Sequence, residues 1–145
     1  MIGGALHDLD QALRAYDRPV IEHVAIWTGD LERLRAFYER YFGGVAGARY
    51  ENPSTGFRSY FLELDGARLE LMQMPAVGER YEGDEQGLGW AHIAFALGSE
   101  QAVDELIDLL RSDGYAILDG PRRTGDGYYE SVVRDPDGNR VELTV

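Results

Sequence analysis

The chain has 145 residues, of which 44% are hydrophobic and none is cysteine, and a formal net charge of −12. This length is sufficient for one domain with a substantial core, and the missing cysteines exclude disulfides, thiolate metal ligands and a cysteine nucleophile. The acidic balance argues against nucleic acid and anionic membranes as partners, and with no membrane-spanning run or signal peptide we expect a soluble, cytoplasmic protein.

The first residues form a separate unit in our interpretation. Residues 3–17 carry leucines at helical spacing and predict a short helix that ends at Pro19. This segment has no counterpart later in the chain, so residues 1–19 are interpreted as an N-terminal helical arm. His7 lies in this arm and is expected to be a surface residue.

The elements that follow alternate between strand and helix patterns. Residues 20–27 predict a strand, and Thr28-Gly29-Asp30 predicts the start of a helix with an apolar stripe over 31–42, which ends at Gly43-Gly44. Next in chain order are a short strand at 49–50 and two strands at 57–64 and 68–74, joined across the hairpin signal Asp65-Gly66.

The second half repeats this order after a glycine-rich linker at residues 75–89. We predict, in chain order, a strand at 90–97, a helix capped by Ser99 and ended by Gly114, a short strand at 115–118, a loop at 119–127, and strands at 128–134 and 139–145.

Two sequence patterns occur once in each half. Asp65 to Leu71 and Asp137 to Leu143 both read Asp-Gly-x-Arg-(Leu/Val)-Glu-Leu. Upstream of them, Glu22 to Ile26 and Ala91 to Phe95 both place a histidine second, followed by three apolar residues. We therefore interpret residues 20–145 as one domain of two β-α-β-β-β modules, residues 20–75 and 89–145.

Strand alternation predicts that four ionisable side chains lie on the sheet faces that do not pack against the helices. Side chains two apart lie on one face of a strand, so His23, Glu70, His92 and Glu142 fall opposite the apolar residues that would pack on the helices. A single histidine or glutamate on a strand is usually solvated or hydrogen-bonded, but the repeat places both pairs at equivalent positions. Two imidazoles and two carboxylates suit a divalent ion: Ni, Co or Zn, with Mn and Fe as further candidates.

These features resemble the vicinal oxygen chelate superfamily of glyoxalases, bleomycin resistance proteins and extradiol dioxygenases. The module order carries this resemblance over residues 20–145, and so does the segment Asp-Pro-Asp-Gly-Asn-Arg-Val-Glu at 135–142. The resemblance implies an α+β fold in which the two modules form a curved, cup-like mixed sheet with helices on its outer face. It also implies a small-molecule substrate and a homodimer.

The set of ionisable residues is most similar to that of bacterial-type glyoxalase I, the lactoylglutathione lyase-like group. Carried over position by position, this resemblance implies that His23, Glu70, His92 and Glu142 are the metal ligands. Dioxygenases and fosfomycin-resistance transferases resemble a three-ligand pattern, bleomycin-binding members generally lack the metal set, and methylmalonyl-CoA epimerase is similar but has glutamine at the position of Glu70.

The resemblance implies a divalent-metal-dependent lyase or isomerase acting on the hemithioacetal of a 2-oxoaldehyde. In that reaction a carboxylate removes a carbon-bound proton, the metal stabilises the resulting enediolate, and the proton returns to the neighbouring carbon. Glu142 is the implied base, and Glu70 can exchange roles with it.

Two alternatives stay open from the sequence. One is a protein that sequesters a small molecule or antibiotic without turnover, and the other is a dioxygenase or epimerase on the same scaffold. The thiol is also open, and the candidates for lining the cup each have an equally good interpretation as packing or surface residues: Trp27, Tyr60, Arg68, Tyr129 and Arg140. A loop at 120–128, with Arg122 and Arg123, is interpreted either as a cover over an anionic substrate or as a solvated loop.

Overall fold

The computed structural model describes residues 21–78, 92–125 and 127–145. The predicted arm, residues 1–19 with His7, lies outside the described residues, as do residues 79–91 around the predicted linker. The helices of the described ranges are α1 (Leu31–Phe42) and α2 (Glu100–Ser112). Their strands are β1 (His23–Trp27), β2 (Val45–Ala46), β3 (Tyr50–Asn52), β4 (Phe57–Glu63), β5 (Arg68–Gln73), β6 (Ile93–Ala96), β7 (Ile117–Arg123), β8 (Tyr129–Arg134) and β9 (Arg140–Thr144).

The strands form two mixed sheets with closely similar topology. The first has the order β1-β5-β4-β2, with β3 also paired to β4, and the second has the order β6-β9-β8-β7. In both sheets the strand before the helix pairs in parallel with the last strand, while the remaining pairs are antiparallel. The predicted α+β fold is therefore confirmed. In the described ranges, no helix is long and apolar enough to cross a membrane.

Both helices begin where their capping residues predict. Asp30 accepts a hydrogen bond from the Arg33 backbone N–H at 3.0 Å, and Ser99 accepts one from the Ala102 backbone N–H at 3.1 Å. Each cap satisfies a backbone donor that has no partner inside the helix, which typically stabilises a helix by about 1 kcal/mol. Helix α1 ends at Gly43, whose φ of 67° is a conformation that glycine adopts without a steric penalty.

The loop predicted at residues 119–127 is wrong for residues 119–123, which belong to β7. The glycine-proline pair at 120–121 is typical of a loop, but here it lies where the register of β7 against β8 shifts. A Cβ at Gly120 would come within 2.5 Å of the Glu130 carbonyl oxygen, so the strands can approach closely only because this residue is glycine. The short strand β2 was not predicted.

The two modules pack together through the helix-facing sides of their sheets. The Phe42 ring on α1 lies 4.3 Å from the Phe95 ring on β6, and the Phe37 ring lies 5.1 Å from that of Tyr115. Residues of both modules thus belong to one buried cluster. Because the helix-facing sides are occupied by this shared core, the opposite face of each sheet points away from it.

The turn between β8 and β9, in the second module, is hydrogen-bonded to the first module. The Asp135 carboxylate is only 4% exposed and accepts hydrogen bonds from the Tyr38 hydroxyl at 2.9 Å and from two backbone N–H groups, those of Asp137 and Asn139, at 2.9 Å each. The Asn139 side chain donates a fourth bond at 2.7 Å. Burial raises the pKa of Asp135, while the hydrogen bonds it accepts act in the opposite direction. Burial and this carboxylate also raise the pKa of Tyr38, which stays protonated as a donor.

We expect Asp135→Asn to lower the free energy of unfolding by about 2–4 kcal/mol, since an amide nitrogen would replace one carboxylate oxygen and leave buried donors unpaired. Chemical denaturation measures this change. The matched control is Asp65→Asn in the exposed turn of the first module, which should shift stability by less than about 0.5 kcal/mol. Equal losses in the two variants would contradict this account of the turn.

Candidate metal centre

The two sheets present a histidine and a glutamate at matching positions. Ala25 pairs with Glu70 in the first sheet, and Ala94 pairs with Glu142 in the second. Each histidine lies two residues before the alanine, and so on the same side of the strand as its alanine. The neighbouring residues of β5 and β9, among them Leu71 and Leu143, are fully buried on the opposite face. Strand alternation therefore places the four ionisable groups as predicted, on the faces away from the shared core.

Within each module the two side chains are close to each other. His23 Nε2 lies 3.8 Å from Glu70 Oε2, and His92 Nε2 lies 3.2 Å from Glu142 Oε2. The exposed fractions also match, since both histidine side chains are 41% exposed and the glutamates 15% and 16%. Each pair thus offers an accessible imidazole nitrogen beside a largely covered carboxylate.

The two pairs do not meet within one chain. In residues 21–78, 92–125 and 127–145, no three histidine, aspartate or glutamate side chains lie together in a way that could hold a metal ion. The packing of the modules accounts for this, because the core occupies the space between the sheets and the two His–Glu faces point outward. The structure therefore contains two separate His–Glu pairs of equal composition, each of which is called a half-site below.

The chemistry of each half-site fits a divalent ion, but one half-site alone is too small. An imidazole nitrogen and a carboxylate oxygen are suitable ligands for a borderline divalent metal, and together the two half-sites would supply four ligands of balanced charge. Two ligands would leave most coordination positions to water. The four residues therefore fit a metal only if a half-site from the first module and a half-site from the second module come together.

Glu22, which the sequence analysis did not single out, links His23 to Arg68. Its carboxylate contacts His23 Nδ1 and accepts hydrogen bonds from the Arg68 guanidinium, one of them from Nε at 2.7 Å. These hydrogen bonds, first that of His23, lower the pKa of Glu22. The Phe61 ring packs edge-on to the His23 ring at 5.5 Å. Since Nδ1 faces a carboxylate, Nε2 is directed toward Glu70, an orientation suited to a metal ligand.

A groove of about 510 Å³ lies beside Glu70 on the outward face of the first sheet. Its walls include Tyr50, Phe57, Phe61, Glu63, Arg68 and Glu70. Trp27, 42% exposed, packs edge-on to Phe57 at 6.2 Å on the same face. Trp27 and Arg68 are thus on the predicted side of the sheet, and this groove combines aromatic rings with charged side chains next to the His23–Glu70 pair.

Tyr60 and Tyr129 are not on this side of the sheets. The Tyr60 hydroxyl donates to Glu32 on α1 at 2.9 Å, and the Tyr129 hydroxyl donates to Asp104 on α2 at 2.6 Å. Both rings also pack against the buried core. Of their two interpretations, the structure therefore supports the packing role and not the cup. Tyr60 shares its strand face with the buried Leu62, and Tyr129 shares its face with the buried Val133, so alternation would have indicated this from the sequence.

Arg122 and Arg123 belong to β7, and both form ion pairs with carboxylates of the same module. Arg122 donates to Asp119 at 2.7 and 2.9 Å, and Arg123 forms an ion pair with Glu100 at the start of α2. The Asp119 pKa is lowered, mainly by its hydrogen bond with Arg122. Of the two interpretations, the ion pairs favour the solvated surface over the cover, although these two residues are part of the second sheet and not of a loop.

The chain matches the model of a known protein family. The family model described as Glyoxalase/Bleomycin resistance protein/Dioxygenase superfamily matches residues 20–143. The chain belongs to this superfamily. The predicted resemblance is therefore confirmed for almost the whole chain beyond the arm.

Relatives with different activities are similar to the chain to nearly the same degree. A lactoylglutathione lyase of Salmonella typhimurium is 30% identical over 127 residues, which cover 83% of this chain and 88% of the relative. Metallothiol transferase FosB of Lysinibacillus sphaericus is 29% identical over 123 residues, covering 85% and 79%. The solved structure of a trypanothione-dependent glyoxalase I from Leishmania major has a TM-score of 0.68 at 25% identity and covers 88% of this chain and 86% of that one. Membership in the superfamily therefore does not identify the reaction, which depends on the residues of the site.

Proposed function

We propose that this member of the superfamily is a divalent-metal-dependent lyase or isomerase of the glyoxalase I type, acting on the hemithioacetal of a 2-oxoaldehyde. The observation that carries the proposal is the repeated His–Glu pair, which lies at the same register on the outward face of each sheet. The similarity to lactoylglutathione lyase supports the same reaction class. We also retain the interpretation of residues 20–145 as one domain of two modules, 20–75 and 89–145.

The proposed ligands are His23, Glu70, His92 and Glu142, and the proposed ion is Ni, Co or Zn, with Mn and Fe as alternatives. When bound, such an ion supplies Lewis-acid polarisation of two neighbouring substrate oxygens. Each module contributes one imidazole and one carboxylate, so neither module suffices alone.

A second copy of the chain completes the site in this proposal. The two half-sites of one chain face away from the shared core, so each is free to meet the complementary half-site of a partner. A twofold dimer would pair the first module of each copy with the second module of the other and create two equivalent sites. The side chains of Trp27 and Tyr50 are exposed on the first sheet and would become buried in such a dimer.

The proton transfer is assigned to the carboxylates. Glu142 removes the proton from the carbon that bears the hydroxyl and returns it to the neighbouring carbon, and Glu70 can exchange roles with it on the other side of the site. Each carboxylate is largely covered, which limits competing water.

The alternative functions differ in what they require. Sequestration of a small molecule needs no metal ligands, whereas both His–Glu pairs are intact here. A dioxygenase, an epimerase or a thiol transferase would use the same face with a different co-substrate. These alternatives predict different products and can be separated by assay.

We expect purified protein to retain a stoichiometric divalent metal and to convert hemithioacetals of methylglyoxal or phenylglyoxal to the 2-hydroxyacyl thioesters. Elemental analysis and the rise of thioester absorbance measure the two properties, with metal-stripped protein as the control. Full metal occupancy with no thioester from any thiol tested would refute the reaction, and catechol cleavage, acyl-CoA proton exchange or thiol transfer would identify the replacement. Absence of bound metal together with tight small-molecule binding would favour sequestration.

A further inference from the structure

The His23 ring is held on two sides by residues of its own module. Its Nδ1 contacts the Glu22 carboxylate, and the Phe61 ring packs edge-on against it at 5.5 Å. Arg68 in turn donates to Glu22 through Nε at 2.7 Å and through a second nitrogen, and its guanidinium lies over the Phe61 ring at 4.2 Å. The four side chains therefore support one another and give the His23 ring a defined orientation.

His92 lacks the corresponding supports in the second module. The residue before it is Ala91, whose methyl side chain has no hydrogen-bond acceptor. The ladder position that Phe61 occupies in the first sheet is occupied by Val132 in the second. Within residues 21–78, 92–125 and 127–145, the polar contact of the His92 ring is that of Nε2 with Glu142 Oε2 at 3.2 Å, and Nδ1 has no partner.

The two rings are therefore expected to carry their proton on different nitrogens. A neutral imidazole donates from one ring nitrogen and accepts at the other. In His23 the acceptor Glu22 lies at Nδ1, while Glu70 is 3.8 Å from Nε2, beyond ordinary hydrogen-bond distance. In His92 the nearest carboxylate, that of Glu142, lies on the Nε2 side. The proton is thus favoured on Nδ1 in His23 and on Nε2 in His92.

This difference affects metal binding, because only an unprotonated imidazole nitrogen can be a ligand. We propose that Glu22 is a positioning residue that keeps the His23 proton on Nδ1 and so leaves Nε2 free for the metal, an inference that rests on the proposed function for the metal and on the contacts of Glu22 for the proton. His92 has to move its proton to Nδ1 before Nε2 can bind. The two half-sites are therefore unequal, and the first is the one arranged in advance for the ion.

Nitrogen NMR of isotope-labelled histidine measures the proton positions in metal-free protein. At about pH 9 a histidine of ordinary pKa is neutral, so the spectrum separates the two proton positions. We expect wild-type protein to show His23 protonated on Nδ1 and His92 protonated on Nε2. Glu22→Ala should abolish the Nδ1 preference of His23, since the carboxylate that remains, that of Glu70, lies on the Nε2 side.

The affinity for Zn²⁺, measured by competition with a chromophoric chelator, is the second readout. Glu22→Ala should weaken Zn²⁺ binding by roughly 10- to 100-fold, the usual effect of removing the hydrogen-bond partner of a ligating histidine. The matched control is Glu63→Ala, which also removes an exposed carboxylate beside Arg68, at 3.9 Å. Glu63 makes no polar contact with His23 in the described part of the chain, so this variant should keep the wild-type proton positions and change the affinity by less than about twofold.

The two readouts separate a failure of this inference from a failure of the proposed function. Opposite proton positions in the wild type that become alike in Glu22→Ala would support the role of Glu22 even if Zn²⁺ does not bind, and the proposed metal site alone would then fail. A wild-type His23 protonated on Nε2 would overturn the role of Glu22. So would an unchanged Zn²⁺ affinity in Glu22→Ala, or an equal loss of affinity in Glu63→Ala.

Discussion

Glu142→Gln is expected to keep the metal and to lower kcat by roughly 10²–10⁴-fold, the usual contribution of a general base. The amide oxygen of glutamine can still coordinate an ion, but an amide does not accept the substrate proton. The Glu142 side chain is only 16% exposed and lies beside His92, so a side chain of nearly the same shape fits without rearrangement. Steady-state kinetics and elemental analysis of the same preparation measure both properties.

The matched control for this substitution is Glu70→Gln in the other half-site. Glu70 has nearly the same exposure and lies beside the equivalent histidine, His23, but the proton is assigned first to Glu142, so the loss of kcat should be smaller. Near-normal turnover in metal-containing Glu142→Gln would mean that this carboxylate is not the base. A larger loss in Glu70→Gln would exchange the two roles.

His92→Ala is expected to remove most of the bound metal and, with it, activity, while the thermal unfolding midpoint stays within a few degrees of the wild-type value. The His92 side chain is 41% exposed and lies outside the buried core, so its removal leaves no cavity. His7→Ala serves as the control because His7 is outside the proposed ligand set. Near-full metal occupancy in His92→Ala, measured by elemental analysis, would remove this residue from the site.

Much of the fold could be predicted because its signals are local. Asp30 and Ser99 cap the helices, and Asp65-Gly66 joins two strands, as short-range backbone chemistry requires. Residues 119–123 were mispredicted because the glycine and the proline there lie at a register shift within a strand and not in a loop. The close approach of Gly120 to the neighbouring strand is a tertiary contact, and no local pattern contains it.

The strand faces that carry the four proposed ligands could also be predicted, but the way in which the two modules pack together could not. Alternation alone places His23 and Glu142 away from the core, and the same rule excludes Tyr60. The repeat does not specify whether the modules of one chain meet through their His–Glu faces or through their helix-facing sides. That choice depends on contacts between distant residues, such as the Tyr38 hydroxyl with the buried Asp135 carboxylate.

The central claim, a site built from two copies of the chain, is tested most directly by mixing two inactive variants. His23→Ala and His92→Ala should each lack metal and activity as homodimers. After the two are unfolded and refolded together in equal amounts, each heterodimer would carry one doubly altered site and one intact site. Statistical assembly then predicts recovery of about a quarter of the wild-type metal content and activity.

Refolding each variant alone provides the control for this mixing measurement, and sedimentation confirms that the mixture is dimeric. We predict recovery of metal and activity only in the mixture. A mixture that contains heterodimers yet recovers neither metal nor activity would contradict a site shared between two chains.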